Sequence, residues 1–118
     1  MSQCADMFKK KPTDFEISSE ELKKKLDKDE KIVIIDVREP DEYEICHLKT
    51  AKLIPLRQIP SCLSELNPNG LTVLYCHHGI RSAQAALWLQ QNGFPNVASL
   101  RGGIDEWAQK IESEMERY

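Results

Sequence analysis

The run Leu71-Thr72-Val73-Leu74-Tyr75 has the composition of a buried strand and stops at Cys76-His77-His78-Gly79-Ile80-Arg81-Ser82, after which Ser82 to Gln90 reads as a helix. A strand that passes through a tight loop into a helix aims successive backbone N–H groups at whatever lies before the helix, where the macrodipole also favours negative charge. A thiol at that seam is expected to reach its nucleophilic thiolate form more readily, with Arg81 adding positive charge. The alternative is a small cysteine that merely fills a core. His77, His78, Gly79 and Arg81 are too polar to continue a core, and Gly79 supplies the freedom a tight cradle needs, so the residues favour chemistry.

The rest of the chain alternates strands and helices at short intervals. Ser18 and Glu21 stand at capping-box spacing, which predicts a helix starting at Ser19. Ile32-Val33-Ile34-Ile35 is apolar at every position, as expected of a strand covered on both faces. It ends in Asp36-Val37-Arg38, at the strand edge where open parallel sheets bind ligands, and Pro40 suits the first turn of a short helix through Ile45. Lys52-Leu53-Ile54 reads as a strand halted by Pro55. A short helix is expected around Pro60 to Glu65, with Pro60 near its start, before the turn Asn67-Pro68-Asn69-Gly70. Asn92-Gly93 closes the helix after the cysteine loop, Val97 to Leu100 is a strand, and Ile104, Trp107, Ala108, Ile111 and Met115 mark one face of a last helix. This alternation predicts an α/β domain over residues 13–118, with a parallel sheet between helical layers, preceded by a flexible arm at residues 1–12.

Composition narrows the function. With 41% hydrophobic and 30% charged residues and a net charge of −3, nothing suggests nucleic acid or an anionic membrane surface as the main partner. No run reaches a membrane span and the first residues lack a signal peptide's apolar stretch, so a cytoplasmic location is expected. The four cysteines, Cys4, Cys46, Cys62 and Cys76, form no C-x-x-C pair, and His47, His77 and His78 do not join them at zinc-like spacing. Neither structural disulfides nor a metal are expected, and no cofactor is called for.

Three motifs in order, Ile35-Asp36-Val37-Arg38-Glu39-Pro40-Asp41-Glu42-Tyr43 with His47, Tyr75-Cys76 through Ser82, and Arg101-Gly102-Gly103-Ile104 with Trp107, resemble those of a single-domain rhodanese over roughly residues 13 to 112. The resemblance implies a three-layer α/β/α rhodanese-like fold with a five-stranded, mostly parallel sheet. It also implies a sulfurtransferase in which Cys76 carries sulfur from a small anion such as thiosulfate, as a persulfide, to cyanide, a thiol or a sulfur-carrier protein. His77, His78, Gly79, Ile80, Arg81 and Ser82 would form the loop that holds that persulfide. Arg38 would either help dock the donor at the cleft mouth or form a structural ion pair, and Asp36 would organise the loops.

The related phosphatase and arsenate-reductase branch has one residue more between cysteine and arginine, whereas four separate Cys76 from Arg81 here. A non-catalytic interaction or redox module on the same fold is a further alternative, against which the presence of Cys76 speaks. Cys46 stands where many members carry glycine, and similar wording occurs in rhodanese domains attached to enzymes that activate sulfur-carrier proteins. Cys46 is therefore either a second working thiol or a partly buried small side chain.

Overall fold

Each strand is followed by a helical segment that carries the chain back to the same end of the sheet, and that connection permits only parallel neighbours. The computed structural model describes residues 15–118, so the expected arm at residues 1–12, with Cys4, lies outside the described residues. In order these are β1 (Glu16–Ile17), α1 (Ser19–Asp27), β2 (Ile32–Asp36), α2 (Pro40–Ile45), β3 (Lys52–Leu53), a 3₁₀ helix (Leu56–Glu65), β4 (Leu71–Tyr75), α3 (Ile80–Gln91), β5 (Val97–Leu100) and α4 (Gly103–Lys110). One five-stranded sheet results, in the order β1-β5-β4-β2-β3, with every pairing parallel. Among the described residues no helix is long and apolar enough to cross a membrane.

Alternation along the central strand β4 sorts the core into two halves. Val73 and Tyr75 face Leu22 of α1 and Ile104 and Trp107 of α4, while Leu74 and Cys76 face Ile59 of the 3₁₀ helix and Ala85, Ala86 and Leu89 of α3. The sheet is thus covered on both sides, in the three-layer α/β/α arrangement of the rhodanese-like fold. Ser18 caps α1 as its spacing predicts, its side chain accepting from the Glu21 N–H at 3.0 Å while Glu21 Oε1 accepts from the Ser18 N–H at 3.2 Å. Gly93, at φ 96°, ends α3, and the Phe94 N–H returns to the Leu89 carbonyl at 3.1 Å.

Four local expectations are corrected. Val33 is 42% exposed, because it opens onto a hollow at the N-terminal end of the strands that Leu26 at the end of α1 only borders. The segment around Pro60 is a 3₁₀ helix with the proline inside it, where a ring without an N–H is at odds with regular α-helical bonding. Helix α3 begins at Ile80 rather than Ser82, since Gly79 takes the left-handed conformation that starts it. Helix α4 stops at Lys110, so Met115 reaches the core from the segment beyond.

Leu89 of α3 is fully buried against the sheet. Leu89→Ala is expected to lower stability by about 2–5 kcal/mol, read as a shifted urea midpoint. A loss under about 1 kcal/mol would mean that α3 is not held to the sheet by this contact.

Candidate active site

Strand β4 delivers Cys76 to the C-terminal edge of the sheet, one residue past Tyr75, which is in register with Asp36 at the end of β2. The loop then bends at Gly79, whose φ of 101° belongs to glycine; an added Cβ would sit 3.2 Å from the Gly102 nitrogen and 3.3 Å from the Leu100 oxygen. That bend brings the Gly79 N–H to 3.0 Å from Cys76 Sγ. The first intrahelical bond of α3 runs from the Ala83 N–H to the Gly79 carbonyl, so the N–H groups of Ile80, Arg81 and Ser82 lie in a first turn with no acceptor within the helix. Ser82 Oγ lies 3.6 Å from Sγ and 2.7 Å from Ser99 Oγ. Cys76 itself is only 1% exposed, whereas Ile80 at the loop's far end is 71% exposed.

Two of the loop's carbonyls are turned the other way. The N–H groups of Ile104 and Asp105, in the first turn of α4, donate to the carbonyls of Cys76 and His77 at 2.9 and 3.1 Å. Gly103 makes this approach possible: at φ 62°, any Cβ would overlap the carbonyl oxygens of Cys76 and His77. Helix α4 is therefore stitched to the back of the cysteine loop.

Two ion pairs flank this arrangement. Arg81 meets Glu42 of α2 in a two-pronged pair at 3.0 and 3.1 Å, and those hydrogen bonds draw the Glu42 carboxyl down to about 2. Arg38 donates from Nε and Nη2 to Asp36 at 2.9 and 2.6 Å and from Nη2 to the Cys46 carbonyl at 2.6 Å. Both members of the Asp36–Arg38 pair are fully buried. Burial opposes the Arg38 charge, but the hydrogen bonds and charge of Asp36 outweigh it and hold the guanidinium above its ordinary pKa. Arg38 thus occupies the structural ion pair, with Asp36 organising it, and is not open at a cleft mouth for docking an anion.

Of the expected loop residues, His77, Gly79, Ile80, Arg81 and Ser82 surround or follow the thiol as described. His78 is exposed and stacks on His77 at a centroid distance of 4.1 Å. Burial, helped by the charge of His78, lowers the His77 pKa. Cys46 packs against the core half facing α1 and α4, whereas Cys76 belongs to the other half, and burial pushes the Cys46 thiol up. Among the described residues no cluster of three His, Cys, Asp or Glu side chains is placed to hold a metal ion.

Sequence inspection missed four participants. Glu42 stood in the first motif without a role of its own, because its partner lies 39 residues away. Ser99 carried a signal, since a period of two from Val97 turns it toward the Cys76 side of the sheet. Gly103 stood in the third motif, but nothing near it in sequence announced its approach to the Cys76 and His77 carbonyls. Tyr118 carried no signal, yet its ring stacks on His77 at 4.0 Å and its hydroxyl accepts from Arg38 Nη1 at 2.7 Å and donates to Glu42 Oε2 at 2.8 Å. Burial and the Glu42 hydrogen bond outweigh the opposing pull of Arg38 and move its hydroxyl up to about 12.

The profile of the Rhodanese-like domain matches residues 18–110, from the cap of α1 to the end of α4. The chain belongs to the rhodanese-like family. A protein named sulfurtransferase from Allochromatium vinosum is 39% identical to this rhodanese-like chain over 93 residues, covering 79% of this chain and 87% of that one. A probable adenylyltransferase/sulfurtransferase, MoeZ, from Mycobacterium tuberculosis is 39% identical over 104 residues, 86% of this chain. This chain spans only 26% of the length of that relative. The crystal structure of a rhodanese-like domain protein from Staphylococcus aureus superposes with a TM-score of 0.76 at 32% identity, covering 88% of this chain and 98% of that one.

Gly103→Ala is expected to cost about 2–4 kcal/mol, because the methyl must displace the Cys76 and His77 carbonyls from α4. An unchanged urea midpoint would show that the rhodanese-like loop yields freely at this point. The Glu42 pair adds a pH dependence. A carboxyl held below its ordinary pKa contributes stability in full above about pH 4.3 and loses it as pH falls toward about 2. The difference in urea midpoint between the parent chain and Glu42→Gln should be constant above about pH 5 and shrink on acidification. A difference that grows toward acid would overturn the assignment.

Proposed function

We propose that this chain is a sulfurtransferase working through a persulfide on Cys76. The Cys76 thiolate attacks the outer sulfur of thiosulfate, the sulfur–sulfur bond of the donor breaks, and its electron pair leaves with sulfite. An acceptor nucleophile then attacks the terminal sulfur of the persulfide, and the thiolate returns as leaving group. Cyanide would yield thiocyanate in this step; a thiol or a sulfur-carrier protein is the acceptor class proposed for the cell. Arg81 gives the anionic donor a cationic anchor, and the first-turn N–H groups of α3 share the persulfide's charge as an oxyanion hole shares an oxygen's.

One observation carries this reading: the Gly79 N–H donates to Sγ at 3.0 Å inside a loop whose Cys76 and His77 carbonyls are committed to α4. A side chain serving only as core filling would not be met by a main-chain N–H and by the Ser82 hydroxyl, itself held by Ser99. The four-residue span between Cys76 and Arg81 suits a single sulfur atom better than a tetrahedral phosphate or arsenate. Relatives named sulfurtransferase support the same chemistry.

Incubation with thiosulfate is expected to add one sulfur to the protein, seen by intact mass, and cyanide should remove it with release of thiocyanate. Cys76→Ser should abolish both steps. Persulfide formation in that variant, or hydrolysis of an aryl phosphate at a rate exceeding sulfur transfer, would sink the proposal.

A further inference from the structure

Glu42 is shared more widely than a simple partner of Arg81 would be. Its Oε1 accepts from Arg81 Nη1 at 3.0 Å and the Glu39 N–H at 3.1 Å; its Oε2 accepts from Arg81 Nη2 at 3.1 Å and the Tyr118 hydroxyl at 2.8 Å. An anion that draws Arg81 away therefore removes one donor from each carboxylate oxygen and leaves one on each. Without the phenol, Oε2 would keep no protein donor, and a partly buried carboxylate oxygen stripped of its partners is costly. The phenol's orientation is fixed from behind. Arg38 Nη1 donates into its oxygen at 2.7 Å, and Arg38 is pinned by Asp36, so the hydroxyl proton is directed at Glu42. The ring is held flat on His77, with the planes 10° apart.

We propose that Tyr118 is a positioning residue that allows Arg81 to exchange Glu42 for an anionic substrate at the Cys76 loop. This rests on Arg81 anchoring the anion, as proposed above. No bond to Tyr118 forms or breaks during turnover; it remains on Glu42 while the guanidinium changes partner.

Tyr118→Phe in the full chain keeps the ring on His77 and removes only the bridging hydroxyl. Iodoacetate and iodoacetamide are nearly the same size and differ in charge, so their relative rates at Cys76, followed by peptide mass mapping, report how available Arg81 is to an anion. The iodoacetate-to-iodoacetamide ratio is expected to fall roughly three- to tenfold in Tyr118→Phe, with the iodoacetamide rate changing by less than about twofold. The KM for thiosulfate should rise by a comparable factor while kcat changes little. Glu42→Gln should move the alkylation ratio upward, since Arg81 loses its ionic partner. An unchanged ratio in Tyr118→Phe, or both reagents slowing or quickening together as a loosened segment would make them, overturns the assignment. Alkylation requires no sulfur transfer, so a shifted ratio in a chain that moves no sulfur would refute the proposed activity and leave the role of Tyr118 standing.

Discussion

The two hydrogen bonds from the first turn of α4 to the carbonyls of Cys76 and His77 govern the rest of the site. A helix must find acceptors for its first N–H groups, and a tight loop must dispose of its carbonyls; here each solves the other's problem. Because those carbonyls face α4, the loop's N–H side is left toward the thiol. The arrangement demands close backbone approach at both ends, which is why Gly103 lies against the loop carbonyls and Gly79 lies against Leu100 and Gly102. The turn after β5 and the loop after β4 are thus one mechanical unit, although more than twenty residues of chain separate them.

Much of this was legible because the signals are local. The cap at Ser18, the glycine stop at Gly93 and the succession of strand, cysteine loop and helix are each written within a few neighbouring residues, and three motifs in the right order pointed to the rhodanese-like fold. What escaped detection depends on pairing across the fold. The partner of Arg81 is Glu42, and the hydroxyl joining Glu42 to Arg38 comes from Tyr118, 76 and 80 residues away from them. Arg38 shows the limit well: its sequence context fits both a docking cation and a buried ion pair, and only burial separates the two. Val33 and Pro60 failed for a different reason. Local pattern says that a side chain is apolar or that a ring lacks an N–H, not whether a covering layer extends that far or how the surrounding turns adjust.

The two ion pairs look alike on paper and do opposite work. Asp36 and Arg38 are sealed from water, and removing one partner there would strand a charge, at a cost of about 3–5 kcal/mol. That pair is a fixture, holding the Cys46 carbonyl and the end of β2 in place. Arg81 and Glu42 reach solvent, where the attraction is screened, and with the Tyr118 hydroxyl still on the carboxylate an exchange of partners costs less than in a sealed pair. A cation that must meet an incoming anion has to be of the second kind. A cation that shapes the edge of a sheet has to be of the first.

The proposed chemistry also accounts for a thiol that is almost wholly enclosed. A sulfur passed along as a persulfide is readily lost to competing thiols, so the carrying residue gains from facing the Gly79 N–H and the Ser82 hydroxyl rather than open water. Enclosure alone would suit any cysteine chemistry; the size of the cradle is what discriminates. Widening the loop to accept a tetrahedral anion would require Gly79 to move off Leu100 and Gly102, and the start of α3 to move with it. Those contacts belong to the β5–α4 turn that also holds the loop carbonyls. The loop's width is therefore set by the packing of two glycine-bearing turns, and a change from one sulfur atom to a larger group would have to rebuild both.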